Sequence, residues 1–310
     1  MAADISRTTS IPSEQASSSS READWIGQLS QRTTPQFGQL ATWLLLITCF
    51  IFVVIPWEVH EGPRQTPASL LCWLPANWLG CSELFWFFRT MLAVGALGWL
   101  LCIAVPWTCW LTVIGFLGLW SMHVENVWHT SHIFHLAGNL LIIQAIWYTL
   151  LGNEIVAAKR EKRFWTTPLY PRWVSLSQIA AIGLFHTAAG LSKIWFSGME
   201  WANGTSLQLW AHMDGRVGSI GRSLILADTR MTAFLQIVTL VVETAGILAL
   251  FPRLRTWIGL GTIGFYVGVL STFNYGFQFN LLFTALYLLP IEAWIQKRYA
   301  PLAGPAKMTA

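Results

Sequence analysis

From residue 39 onward, apolar runs of about 16 to 23 residues follow one another with only short breaks. They lie at 39–57, 84–105, 107–122, 132–151, 175–197, 232–251, 256–273 and 277–295. A helix of about 20 apolar residues crosses about 30 Å of hydrocarbon, and lipid offers no partner to an unpaired backbone N–H or C=O. Runs of this length therefore have to be helices. The expected fold is all-α, a polytopic transmembrane helix bundle of about eight spans. Charge content agrees: 11% of residues are charged, against about 25% in soluble domains. The net charge of +4 is spread thinly, with no basic patch interleaved with aromatics. The bilayer is thus an expected partner and nucleic acid is not.

Residues 1–36 are rich in Ser, Thr and Gln and include the run ASSSSRE, which reads as a disordered polar tail. No apolar run follows an early basic cluster, so this segment is not a signal peptide. Residues 37–297 form the expected transmembrane helical domain, and 298–310 a short tail. Trp57, Trp128, Trp173, Trp201, Trp257, Tyr275 and Trp294 gather at predicted span ends, as an interfacial aromatic belt does. The densest basic run, Lys159 to Arg163 with Arg172, shares one side with Arg253, Arg255, Lys297 and Arg298 when the spans number eight. Basic loops stay inside, so both termini are expected in the cytoplasm of a multi-pass protein of a bacterial inner membrane or its equivalent. Cys72 and Cys81, in CWLPANWLGC, then lie in an outward, oxidising loop. They are a candidate disulfide, with two free thiols as the alternative. Cys49, Cys102 and Cys109 sit in or beside apolar spans and read as packing thiols.

The fifth span interrupts this apolar pattern. Gly183, His186, Gly190, Lys193 and Ser197 recur at helical spacing and form one narrow stripe of small and ionisable residues. Leu184, Leu191 and Trp195 turn away from it. An intramembrane Lys is expensive unless paired, neutral or snorkelling to the headgroups, and so marks a functional site. The fourth span places His132, His135 and Asn139 on one face, opening from the same outward side. Histidines at this spacing are compatible with a metal, but only His186 and Glu243 are available as further ligands, and no metal is expected. On the sixth span Gln236, Thr239, Glu243 and Gly246 again share a face. A buried carboxylate needs a partner. The expected pairs are His186 with Glu243 and Lys193 with His132; Arg89 is the alternative partner for Glu243. Gly261, Gly264, Gly268 and Ser271 on the seventh span read as a packing stripe. An amine kept uncharged in an apolar pocket can act as a general base, with a neighbouring imidazole to orient it.

The segment AAGLSKIWFSGMEWANGTSLQ (188–208) resembles the signature of the vitamin K-dependent γ-carboxylase and its smaller bacterial relatives, the HTTM-domain membrane proteins. GALGWLL (95–101), the WHTSH stretch from Trp128, LVVETAG (240–246) and FNYGFQFNLLF (273–283) fit in the same order, so the resemblance covers roughly 84–290. It implies that Lys193 is the base that deprotonates a quinol such as vitamin K hydroquinone, supported by His132 or His135. His186, Asn139, Glu243, Trp195 and Asn274 would line the cavity. The chain departs from the family where Tyr266-Val267-Gly268 stands in place of a His, and where Ser192 replaces the first Lys of a pair. The extracytoplasmic domain that holds a peptide substrate in the carboxylase has no counterpart in these 310 residues. Quinol use is therefore the firmer expectation than carboxylation. Two classes follow: a quinol-dependent carboxylase-like lyase or oxidoreductase, or a non-catalytic HTTM- or DoxX-like subunit packed against another membrane or extracytoplasmic protein.

Overall fold

The computed structural model describes residues 33–55, 81–126, 134–166, 170–273 and 277–299, with Leu74 and Trp78. Among them every regular element is helical: α1 Pro35–Val54, α2 Ser82–Leu100, α3 Val105–Asn126, α4 His135–Leu150, α5 Gly152–Arg160 and α6 Arg172–Ser197. There follow α7 Thr205–Met213, α8 Ile220–Ala227, α9 Thr229–Thr244, α10 Pro252–Thr272, α11 Gln278–Leu288 and α12 Ile291–Tyr299. Short 3-10 turns at Gly198–Ala202 and Gly246–Leu250 continue α6 and α9.

The distribution of polarity is that of a bundle in lipid. Gln144, Gln178, Asn280 and Thr284 are fully buried, whereas Trp195, Phe196, Trp107 and Trp257 are among the most exposed side chains. In water this would be inverted; in hydrocarbon, polar groups gain by facing inward and apolar ones lose nothing by facing out. Four helical stretches are long and apolar enough to cross a membrane: α1, α2, most of α3, and α6 with its 3-10 extension. The number rises to seven if each bent pair is one span, these being α4 with α5 (78°), α8 with α9 (113°) and α11 with α12 (59°). The straight spans expected at 132–151, 232–251 and 277–295 are thus broken or shortened. The last breaks at Pro290, which can neither donate to the helix ladder nor leave its predecessor helical. α10 has the length, but its glycines, threonines and Arg255 lower its hydropathy.

Small residues set the closest approaches. A methyl on Gly115 would lie 2.4 Å from the Leu92 backbone nitrogen, and one on Gly95 would lie 2.5 Å from that of Thr112, so α2 and α3 pack backbone to backbone. The seam between α6 and the Gly246 turn is similar: a methyl on Gly183 would meet the Gly246 carbonyl oxygen at 2.7 Å. The packing stripe expected on α10 is only partly used. Gly261 meets Val242, while Gly264 and Gly268 have open space where a methyl would go.

The segment 198–231, expected as an outward loop between the fifth and sixth spans, is folded, with α7, α8 and the start of α9 inside it. Arg222 Nε donates to the Ala211 carbonyl (2.9 Å), Gln208 Nε2 to that of Ile225 (3.0 Å), and Arg216 N to that of Thr272 (2.8 Å). These bonds hold α7 and α8 against the end of α10.

Candidate active site

Three elements converge where α6 crosses the end of α9. At Gly190 a methyl would stand 2.7 Å from Thr244 N and 3.0 Å from Glu243 Cβ, so glycine lets the two backbones meet. α9 stops at Thr244 and the chain tightens into the 3-10 turn. Thr187 of α6 takes up the freed backbone groups, accepting from Ile247 N at 2.8 Å and donating to the Thr244 carbonyl at 3.3 Å. A helix end inside an apolar bundle needs such a partner.

This crossing sets Glu243 opposite Lys193, one helical turn beyond Gly190. Lys193 Nζ donates to Glu243 Oε2 in an ion pair. The carboxylate side chain is 4% exposed and that of the lysine 24%, so the pair is sunk in the bundle with the amine toward its edge. Two aromatic faces cap the ammonium: the Trp201 ring centre is 4.9 Å from Nζ and that of Phe265 5.9 Å. Partly desolvated cation–π contacts of this kind are worth about 1–2 kcal/mol.

Trp201 reaches this position because the chain turns back after α6. Gly198, at φ +58°, ends the helix, and Gly204 at φ +84° carries the turn against α9, where a methyl would lie 2.3 Å from the Thr229 carbonyl oxygen. Gln236 fastens the turn. Its Oε1 accepts from Gly204 N (2.7 Å), and its Nε2 donates to the Trp201 carbonyl (2.6 Å) and to Ser206 Oγ (2.9 Å). Behind the ion pair, buried His186 shares a hydrogen bond with the Tyr266 hydroxyl through Nε2 (3.1 Å). That hydroxyl also meets the buried Asn280 side chain.

The expected site residues divide accordingly. Lys193, Glu243 and His186 come together, but the pairing differs from the expected one. Glu243 takes Lys193 and His186 takes Tyr266, because the glycine crossing aligns the carboxylate with the lysine rather than with the imidazole. An ammonium also compensates a buried carboxylate better than a neutral ring does. Arg89 is engaged elsewhere, its Nε donating to the Val53 carbonyl at 2.6 Å. The His135 ring packs against Trp120 (centroids 4.6 Å apart) and Phe185 (5.9 Å), beside His186 in sequence. Asn139 and Trp195 lie on exposed faces rather than inside, the latter 84% exposed. Cys81 is a free thiol that donates to Glu83 Oε2 at 2.8 Å. His132, Asn274 and Cys72 lie outside the described residues. Among the described residues no three His, Cys, Asp or Glu side chains gather as a metal-sized group.

Phe265 and Tyr266 were not singled out as site residues by the helical pattern. The departure at Tyr266 from the expected His was the available signal, since a hydroxyl there can partner His186. Comparisons with protein-family models, with curated proteins and with solved structures find no match to this chain.

Proposed function

We propose that this is a multi-pass membrane enzyme that takes a proton from a lipid-soluble quinol at Lys193. The observation that carries the reading is the Lys193–Glu243 ion pair, buried among apolar helices and faced by Trp201 and Phe265. An ion pair in such surroundings is weak evidence for stability, because desolvation offsets most of the attraction. Intramembrane charges of this kind are associated with function. Within the pair a proton passes from Lys193 to Glu243 without leaving net charge behind. The free amine then accepts the phenolic proton of a quinol approaching from the lipid side, where the lysine is partly exposed. The aromatic faces suit a flat ring, and His186–Tyr266 holds the inner wall of the site. A quinol supplies the redox chemistry; these residues supply binding, orientation and a proton acceptor.

In this reading the bent pairs each cross the membrane once and α10 crosses with them. The basic run at Lys159–Arg163 faces the cytoplasm together with both termini, and the site opens away from it, as the charge asymmetry favours. A second reading, a non-catalytic subunit, is favoured by one feature: the strongly exposed Trp195, Phe196, Met199, Trp210 and Met213 around the end of α6 and α7.

The discriminating experiment supplies membranes containing the protein with a reduced quinone and measures turnover. Lys193→Met and Glu243→Gln are each expected to abolish turnover at normal expression, while the double variant keeps the fold and stays inactive. Equal turnover in wild type and Lys193→Met would leave only the subunit reading.

A further inference from the structure

The ion pair is one end of a longer feature. Buried polar side chains continue from it through the bundle to the opposite face. On α6, Ser175, Gln178 and His186 are all buried; on α11, Asn280, Thr284 and Tyr287 are buried at positions i, i+4 and i+7, one face of the helix. Starting at the pair, His186 bonds Tyr266, and Tyr266 meets Asn280. Thr284 lies one helical turn further along α11, about 6 Å. Tyr287 comes next and faces Gln178 of α6. Beyond it Gln144 Oε1 accepts from the Tyr170 hydroxyl, which also bonds Thr42 Oγ1 at 3.1 Å. Tyr170 forms part of the wall of a small crevice at the start of α1, with Thr33, Thr42 and Tyr148.

These side chains are not mutually satisfied. The Ser175 and Thr284 hydroxyls and Gln144 Nε2 are buried without a hydrogen-bond partner in the protein, while Gln178 and the Tyr287 hydroxyl face each other without a well-formed hydrogen bond. A buried polar atom left so is disfavoured by about 1–3 kcal/mol, and native interiors nearly always provide a partner. Several such atoms gather on α4, α6 and α11, which pack on one another. They are too polar for a dry cavity and have the donor and acceptor mix that holds single water molecules, each of which needs two to four partners.

We propose that the line from the Tyr170 crevice to Glu243 is a hydrated proton path, its ligands being water molecules held by Gln178, Thr284 and Tyr287. Protons enter at the crevice, pass along waters and hydroxyls past Tyr266 and His186, and reach the Glu243 carboxylate, which exchanges them with Lys193. Each transfer makes one O–H or N–H bond and breaks one, so nothing is oxidised or reduced. The path deepens the reading of Lys193–Glu243 as a proton-handling pair, yet it is testable without any quinol.

The test uses the full chain in proteoliposomes with a trapped pH-sensitive dye, a potassium diffusion potential driving protons inward. Wild type is expected to acidify the lumen faster than protein-free vesicles. Gln178→Leu, which fills the line with an apolar side chain, should lower the flux about tenfold, corresponding to about 1.4 kcal/mol on the transfer barrier. Gln178→Ser, which keeps a hydroxyl and leaves room for water, should restore it. Glu243→Gln should lower it as Gln178→Leu does. Flux equal to that of empty vesicles in wild type, or flux unchanged in a folded Gln178→Leu variant, overturns the path. Flux that behaves as expected alongside quinol turnover that ignores Lys193→Met would instead reject the enzyme reading and leave the path standing.

Discussion

Removing the lysine alone from the Lys193–Glu243 pair should be far worse than removing both partners. In Lys193→Met the Glu243 carboxylate stays where it is, 4% exposed, and has lost its counter-charge. Breaking a buried pair in this way is disfavoured by about 3–5 kcal/mol, because the remaining charge is uncompensated. In Glu243→Gln the outcome is milder. The lysine is 24% exposed, rests over Trp201 and Phe265, and still finds an amide oxygen, so about 1–2 kcal/mol is expected. The double variant Lys193→Met, Glu243→Gln leaves no buried charge and should return to within about 1–2 kcal/mol of wild type. At about 2–4 °C per kcal/mol for a large domain, Lys193→Met should lower Tm by on the order of 10 °C, and the double variant by a few degrees. The assay is thermal unfolding in detergent followed by a maleimide dye that fluoresces on reaction with thiols. Cys49 and Cys109 are 0% and 2% exposed and become reactive only when the bundle opens. Cys72 and Cys81, the two cysteines of the CWLPANWLGC stretch, are replaced by Ser in every protein compared. Additive single effects, with the double variant the least stable of the three, would refute the pairing.

The same assay separates the glycines that make contacts from those that do not. Gly183→Ala drives a methyl to 2.7 Å from the Gly246 carbonyl oxygen and should lower stability by about 1–3 kcal/mol, whereas Gly264→Ala, with open space, should raise it by about 0.5–1 kcal/mol through helix propensity. Equal shifts for the two would mean the α6 seam is looser than described. Gln236→Leu leaves the Gly204 amide, the Trp201 carbonyl and Ser206 Oγ without their shared partner. Hydrogen exchange across 198–206 should then quicken about tenfold or more, matching about 1.4 kcal/mol or more of lost protection; unchanged exchange would show that another contact holds Trp201.

Much of this arrangement was readable from side-chain spacing, and what was missed has a common cause. The all-helical character follows from run length and apolarity alone, because hydrocarbon permits little else. The Gly183–His186–Gly190–Lys193 stripe also transferred directly: period and composition told which face of α6 looks inward, and the structure buries Gly183, His186 and Gly190 there. Which partner each ionisable group takes was not readable. The expected partner of Glu243 was His186, but α9 does not run on as a straight helix past this point. It ends at Thr244 and tightens, and Thr187, a residue with no obvious role in the pattern, makes that ending tolerable. The pairing is decided by a helix break whose satisfaction comes from another helix, and no local pattern encodes that.

The same reasoning explains why small-residue stripes misled on α10 and succeeded on α6. Glycine at helical spacing permits close approach but does not cause it. On α6, Gly183 and Gly190 each face backbone of the segment that follows α9, and polar partners accompany them: Thr187 on the Thr244–Ile247 backbone, and Lys193 on Glu243. On α10, Gly264 and Gly268 face open space, and the nearby polar groups on that helix, Tyr266 and Thr262, point to the buried side instead. In lipid, apolar contact alone discriminates weakly between neighbours, since hydrocarbon tails pack against a helix almost as well as another helix does. Hydrogen bonds and the one ion pair that crosses between α6 and α9 therefore supply the directional preference, and glycine removes the steric obstacle to it. The inward line of polar residues on α6, α10 and α11 thus has two consequences of one physical origin: it selects which helices meet, and it leaves a connected polar interior along which a proton can travel to Glu243.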